Sequence, residues 1–124
     1  MTGNSVTQSL SNEQFESLIK DNEIVVIDFW ASWCAPCRQF ALVYEKVAAM
    51  HEKVVFAKIN IEEESELAET FHIRSIPHLM VFKQGIVIYS EAGSMPESTL
   101  KELVQQALDA DVSEIKAQLD KDDA

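Results

Sequence analysis

Cys34 and Cys37 are the only cysteines in the chain, and they stand two residues apart in Trp33-Cys34-Ala35-Pro36-Cys37. Such a pair suits thiol chemistry when one sulfur is held as the thiolate and the other lies within reach of it. The neighbouring pattern points to both conditions. Ile24 to Phe29 is an apolar run rich in β-branched residues, which reads as a strand buried on both faces. From Cys37 onward, Phe40, Ala41, Tyr44, Val47 and Ala48 recur as one face of a helix. Cys34 is therefore expected at the N-terminus of that helix, with Cys37 one turn in. Pro36 falls in the first turn, where its missing N–H is no loss. The partial positive charge of a helix N-terminus favours a thiolate, each unit of lowered pKa being worth about 1.4 kcal/mol. The helical spacing also lets Cys37 resolve a mixed disulfide formed at Cys34. The pair reads as a redox-active dithiol.

Asp28 interrupts the apolar run, and a carboxylate there is hard to place on a solvated face. Buried, it holds its proton to unusually high pH, as a general acid/base near neutrality must. The alternative is a strand-end residue at a solvated turn. Trp30 reads as core, and Lys58 reads first as a strand residue snorkelling to water.

The elements that must position these residues follow in chain order. Val6–Leu10 reads as a short strand, and Ser11 with Gln14 as the capping box of a helix bearing Phe15, Leu18 and Ile19. After the buried strand and the cysteine helix, which runs to about His51, Lys53–Ile61 reads as a strand and Glu63–Phe71 as a short acidic helix. Strand and helix alternate to this point, the pattern of parallel pairing by right-handed crossovers. The second half changes character. His78–Lys83 and Ile86–Glu91 flank Gln84-Gly85, an antiparallel hairpin. Ser94 and Glu97 read as the capping box of a last helix, with Pro96 in its first turn and Leu100, Leu103, Val104, Ala107 and Leu108 facing the core. Val112, Ile115 and Leu119 continue a weak stripe through an acidic tail, either an extension of that helix or a separate one. The expectation is an α/β fold, a central mixed sheet flanked by helices on both faces. Its domain is 1–108, and 109–124 is an acidic helical extension.

The formal net charge of −11 makes nucleic acid and anionic membrane surfaces poor partners. No apolar stretch approaches membrane-spanning length. The opening residues carry no basic segment followed by an apolar one, so a reducing cytoplasm is the expectation; a monomer is expected as well. With both cysteines in one motif, a structural disulfide framework is excluded.

The chain resembles the thioredoxin family from about Val6 to Leu108. Asp28-Phe29-Trp30-Ala31-Ser32-Trp33-Cys34-Ala35-Pro36-Cys37 is similar to its active-site segment, and Ile73-Arg74-Ser75-Ile76-Pro77 to the segment holding its cis-proline. Phe82-Lys83-Gln84-Gly85 is similar to its hairpin turn, and Gly93 to the glycine of its substrate groove. The resemblance implies a protein-disulfide reductase with no cofactor beyond a Cys34–Cys37 disulfide, acting on disulfide-containing proteins and recharged by a thioredoxin-reductase-type donor. It implies that Cys34 is the exposed nucleophile, Cys37 the buried resolving thiol, Asp28 the proton carrier behind Cys37 and Lys58 its modulator. Trp33 would cover the site, and Ile76, cis-Pro77 and Gly93 would line the groove.

Three positions depart from the family pattern. Ala35 replaces a glycine beside Pro36, a mild change that stiffens the helix start. Leu42 stands where a helix-kinking proline is usual, which suggests a straighter helix. His78 stands where a threonine is common, either titrating near the site or pointing away from it. Three rival readings remain: a groove used for binding or folding assistance without turnover, a disulfide isomerase or oxidase, and a structural zinc site on Cys34, Cys37, His72 and His78.

Overall fold

The computed structural model describes residues 6–122. The expectations for residues 1–5 and for the last two residues of the acidic tail lie outside that range. Five strands form one sheet in the order β1-β3-β2-β4-β5. They are β1 (Gln8–Ser9), β2 (Ile24–Trp30), β3 (Val55–Asn60), β4 (His78–Lys83) and β5 (Ile86–Ala92). The helices are α1 (Asn12–Asp21), α2 (Ala35–Ala48), α3 (Ser65–Thr70), α4 (Glu97–Asp109) and α5 (Ser113–Asp122). β3 pairs in parallel with β1 and β2, whereas β4 is antiparallel to both β2 and β5. The mixed sheet is as the sequence led us to expect.

Central β2 alternates its side chains between two cores. Ile24 and Val26 pack with Phe40, Tyr44 and Val47 of α2 and with Leu100 and Val104 of α4. Val25, Ile27 and Phe29 pack on the other face with Leu67 of α3, and Phe15 and Leu18 of α1 lie against them. Six of its seven residues are buried, which explains the nearly unbroken apolar run. By this alternation Asp28 and Trp30 lie on the α2 face.

Several boundaries differ from expectation, each for a local reason. β1 shrinks from Val6–Leu10 to Gln8–Ser9 because it pairs with β3 at only those two positions. The strand expected over Lys53–Ile61 narrows to Val55–Asn60. There the Asn60 Oδ1 accepts the backbone N–H of Glu62 at 2.9 Å, turning the chain out of the sheet and delaying α3 to Ser65. α3 ends early because His72 takes a left-handed conformation (φ 54°). The N–H of His72 donates to the Glu69 carbonyl at 3.1 Å and that of Ile73 to the Ala68 carbonyl at 2.9 Å, a Schellman closure without glycine. α2 stops at Ala48, a few residues before His51.

The expected caps are corrected too. Ser11 is the N-cap of α1, but its hydroxyl meets the Gln14 side chain at 3.3 Å instead of a backbone N–H. Glu64 supplies that service from outside, its Oε1 accepting the Asn12 N–H at 2.9 Å. Ser94 does not cap α4, whose N-cap is Pro96. Met95 precedes a proline and is thereby steered away from helical geometry, so the helix starts after it. Leu108 does not face the core, being 39% exposed. The tail is a separate helix: Ala110 turns extended (ψ 140°), and the Asp111 Oδ1 accepts the Ser113 N–H at 2.9 Å. Val112 is buried, while Ile115 and Leu119 of the expected stripe stand in solvent.

The β4–β5 turn is as read. Gln84 and Gly85 both have positive φ (52° and 80°), as a two-residue turn matched to strand twist requires. A bulge between Val81 and Phe82 shifts the register of this hairpin.

Candidate active site

The two cysteines sit where β2 gives way to α2, at the end of the sheet where parallel strands end and helices begin. Ala31–Trp33 makes a turn closed by the Cys34 N–H donating to the Ala31 carbonyl at 3.2 Å. Arg38, in the first turns of α2, donates from Nη1 to the Ser32 carbonyl at 2.8 Å and ties that turn to the helix. Cys34 is the N-cap of α2, followed at once by Ala35 and Pro36. Its Sγ accepts the Cys37 N–H at 3.2 Å, so a backbone dipole is aimed at the sulfur. Cys34 and Cys37 are joined as a disulfide, their Cα atoms 5.2 Å apart.

The sulfurs are less unequal than expected. Cys34 is 5% exposed and Cys37 2%, so Cys34 is not an exposed nucleophile in this oxidised state. Ala31 shares their cluster, and Trp30, Ile61 and Ile76 pack against it. Trp33, which precedes Cys34, is 63% exposed. The Ile76–Pro77 peptide is cis, and the Cys34 Sγ lies 3.8 Å from the Ile76 carbonyl oxygen. The Pro77 carbonyl accepts the Gly93 N–H at 2.7 Å. Gly93 has φ 114°, and a Cβ there would meet nothing within 4 Å, so its surface opens outward. Cys34, Ile76, Pro77 and Gly93 are thus brought to one place.

Asp28 is fully buried, and among the described residues neither of its carboxylate oxygens has a hydrogen-bond partner. Burial pushes its pKa from the ordinary 3.8 up to about 7, against a smaller opposing pull from Lys58. Lys58 is the register partner of Asp28 across β2 and β3. Its Nζ lies 4.8 Å from the centroid of the Trp30 ring. Tyr44, also buried, donates to the Ala57 carbonyl at 2.7 Å, with the Val26 carbonyl at 3.0 Å. Burial, and then the charges of Asp28 and Glu45, push its phenol well above 10, so it stays neutral.

His78 points to the other face of the sheet, where its Nε2 meets the Ser90 Oγ at 2.8 Å and its ring lies edge-on to Phe29. Burial lowers its pKa below 6.5, with Glu91 pulling the other way. The zinc reading needs His72 and His78 beside the cysteines. The structure does not assemble them, and among the described residues no group of three or more metal-capable side chains forms.

Sequence reasoning gave three residues no role of their own. Arg38 carries no motif signal, and Trp30, inside the active-site segment, reads only as core. The third is Lys83, buried on β4, whose Nζ donates to the carbonyls of Ala107, Leu108 and Ala110 at 2.7, 3.0 and 2.5 Å. A cation at a helix C-terminus is a familiar pairing, but here it comes from a strand far away in sequence.

The Thioredoxin family model matches residues 6–106. The chain belongs to the thioredoxin family. It is 42% identical over 110 residues to a Streptomyces coelicolor protein that bears a thioredoxin name, covering 89% of this chain and 82% of that protein. Thioredoxin 1 of Nostoc sp. is 35% identical over 106 residues, 84% of this chain and 99% of that one. Among solved structures, the Plasmodium falciparum thioredoxin superposes with a TM-score of 0.74 at 36% identity, covering 81% of this chain and 97% of that one. The protein is a thiol-disulfide oxidoreductase, with the Cys34–Cys37 pair at its active site. Thioredoxins work through their own redox-active disulfide and act on disulfide-containing proteins. Among the described residues no helix is long and apolar enough to cross a membrane.

Proposed function

We propose that the chain is a protein-disulfide reductase in which Cys34 attacks and Cys37 resolves. The observation that carries this reading is the Cys34 sulfur at the cap of α2 with the Cys37 N–H aimed at it. A thiolate there gains a charge-assisted hydrogen bond as well as the helix dipole. In the reduced protein the Cys34 thiolate attacks one sulfur of a substrate disulfide, forming a mixed disulfide and expelling the other sulfur as thiolate. Cys37 gives its proton to the Asp28 carboxylate and attacks the Cys34 sulfur. The second substrate sulfur leaves as thiolate, and the Cys34–Cys37 disulfide seen here is the product. Two electrons from a thioredoxin-reductase-type donor restore the dithiol.

An extended substrate segment lies alongside Ile76, over cis-Pro77 and the open face of Gly93, with the exposed Trp33 ring against it. Ala35 and Pro36 add no charge beside the sulfurs. The near-neutral Asp28 carboxyl suits two-way proton traffic, and Lys58 tempers it. His78, on the opposite face, modulates the groove edge through Ser90. Residues 1–108 carry this chemistry as a monomeric domain without a further cofactor in a reducing cytoplasm, and 109–124 is an appended helix.

The test joins potential to trapping. The thioredoxin family sits at about −270 mV, while isomerases lie at about −180 mV. A potential below about −220 mV, turnover by a thioredoxin reductase, and mixed disulfides accumulating in Cys37→Ser but not in Cys34→Ser are expected. A potential above about −180 mV makes the protein an isomerase or oxidase, and faster alkylation of Cys37 than of Cys34 reverses the roles.

A further inference from the structure

Trp30 follows Asp28 by two residues on β2, so the indole and the carboxyl share the α2 face of the sheet. Lys58 stands directly across from Asp28 on β3. A lysine so placed has the length to lay its ammonium on that carboxylate. It does not: neither Asp28 oxygen has a hydrogen-bond partner, and the ammonium instead rests over the Trp30 ring, 4.8 Å from its centroid. A cation over an indole face gains about 0.5 to 2 kcal/mol, rising as water is excluded. Trp30 is half-buried against the cysteine cluster, and Lys58 is half-buried beside it.

We propose that Trp30 is a positioning residue whose indole face holds the Lys58 ammonium off the Asp28 carboxyl. The sequence reading of Trp30 as plain core misses this, because its ring both packs on the cysteines and presents a face to the lysine. The groups facing Asp28 are few. From β3 comes Lys58, and from α2 comes Tyr44, a neutral phenol. Its β4 register partner is Leu79, and α4 presents Leu100 and Val104 to the same core. Lys58 is therefore the charge whose position decides what Asp28 experiences. An ammonium brought within about 4–6 Å of a carboxyl lowers its pKa by roughly 1–3 units. Held at the indole, the same ammonium leaves Asp28 near neutrality, in keeping with its value of about 7.

The consequence for turnover rests on the proton-carrying role of Asp28 proposed above. The positioning does not, and it is tested in the oxidised protein without turnover. The Asp28 carboxyl is titrated by carbon-13 NMR in the parent, Trp30→Leu, Trp30→Phe, Lys58→Met and the Trp30→Leu/Lys58→Met double variant. Loss of the indole frees the ammonium to reach the carboxyl, so the midpoint in Trp30→Leu falls by about one unit. Trp30→Phe, which keeps a weaker π face, falls less, and Lys58→Met rises. In the Lys58→Met background, Trp30→Leu moves the midpoint no further. An equal shift with and without Lys58 overturns the proposal, because the indole then acts by excluding water; so does no shift in Trp30→Leu. Should Trp30→Leu fail to fold, the Trp30→Phe and Lys58→Met cycle carries the same comparison. If the midpoints move as stated while the pH profile of disulfide reduction stays fixed, the positioning stands and the proton role of Asp28 falls.

Discussion

Among the described residues, Asp28 and Lys83 are the charged ones taken into the core, at opposite ends of the sheet on neighbouring strands, and the fold receives them in opposite ways. Lys83 finds three carbonyl acceptors at and just beyond the C-terminus of α4, which match the three donors of an ammonium. Asp28 finds none, at the end of the sheet that carries the disulfide. A buried ionisable group with its bonds complete locks a structure, and one left unsatisfied sits at a cost to stability. The difference separates a fastening from a group held at a cost, to which the proposed function gives the proton traffic.

Substituting Asp28 has the larger effect. The folded Asp28 carboxyl titrates at about 7 against an ordinary 3.8, so the native state keeps a proton that the unfolded chain releases between those values. Stability therefore falls as pH rises from about 4 to above 7, and the full penalty is present beyond that. Asp28→Asn removes it: little change in stability is expected near pH 4, and a gain of up to about 4 kcal/mol near pH 8.5. On the proposed mechanism, turnover of protein disulfides falls at the same time, because Cys37 would lose its proton acceptor. Denaturant unfolding across pH, set beside a reduction assay, checks both. A variant that is less stable at pH 8.5 and fully active removes Asp28 from the chemistry.

Lys83→Met tests the fastening. It strands the last carbonyls of α4 and should cost about 2–3 kcal/mol, with turnover per folded molecule unchanged. Chemical denaturation and the specific activity of the folded fraction separate the two; an activity loss beyond the unfolded share would mean that this end is coupled to the site.

The same contrast exists in the backbone, at two left-handed residues, one beside the cis-proline and the other at the end of α3. Gly93 (φ 114°) can hold its conformation because it lacks a side chain. Gly93→Ala should cost about 1–2 kcal/mol and raise KM for protein substrates, since the added methyl faces the open groove. An unchanged KM would take Gly93 out of the substrate surface. His72 (φ 54°) carries a side chain where the Schellman closure favours glycine. His72→Gly should therefore raise stability by about 1 kcal/mol or less and leave turnover as it is, read from the thermal midpoint and a reduction assay. A drop in stability would show that the imidazole itself holds α3.

Much of this was legible from the chain because local pattern and global fold agree. The apolar run of β2, the stripe of α2 and the Gln84-Gly85 turn each specify one conformation, and the cysteine motif falls between the first two. Asp28 stood out because a carboxyl has no ordinary reason to interrupt a buried strand. What was not legible depends on contacts distant in sequence. Nothing near Lys83 announces that α4 will end beside it, and nothing near Asn12 announces the Glu64 carboxylate. Trp30 reads as core because apolar pattern alone cannot distinguish a ring that fills space from one that also holds a cation. The Ser94 cap failed for a subtler reason: Met95-Pro96 vetoes the first helical turn that a Ser-x-x-Glu spacing invites.

The bulge in the β4–β5 hairpin bears on how the protein behaves in a crowded solution. β5 is the last strand of the sheet, and such an edge offers unpaired peptide groups to any passing chain. Here the bulge between Val81 and Phe82 breaks the flat register such a recruit would need, and Glu91 places a charge on the same strand. A redox protein of net charge −11 is thereby guarded twice against self-association along that edge, by local twist and by mutual repulsion. Colloidal stability is built into the same hairpin whose first residue follows the cis-proline, so the groove proposed for an extended substrate lies beside an edge that discourages further strands.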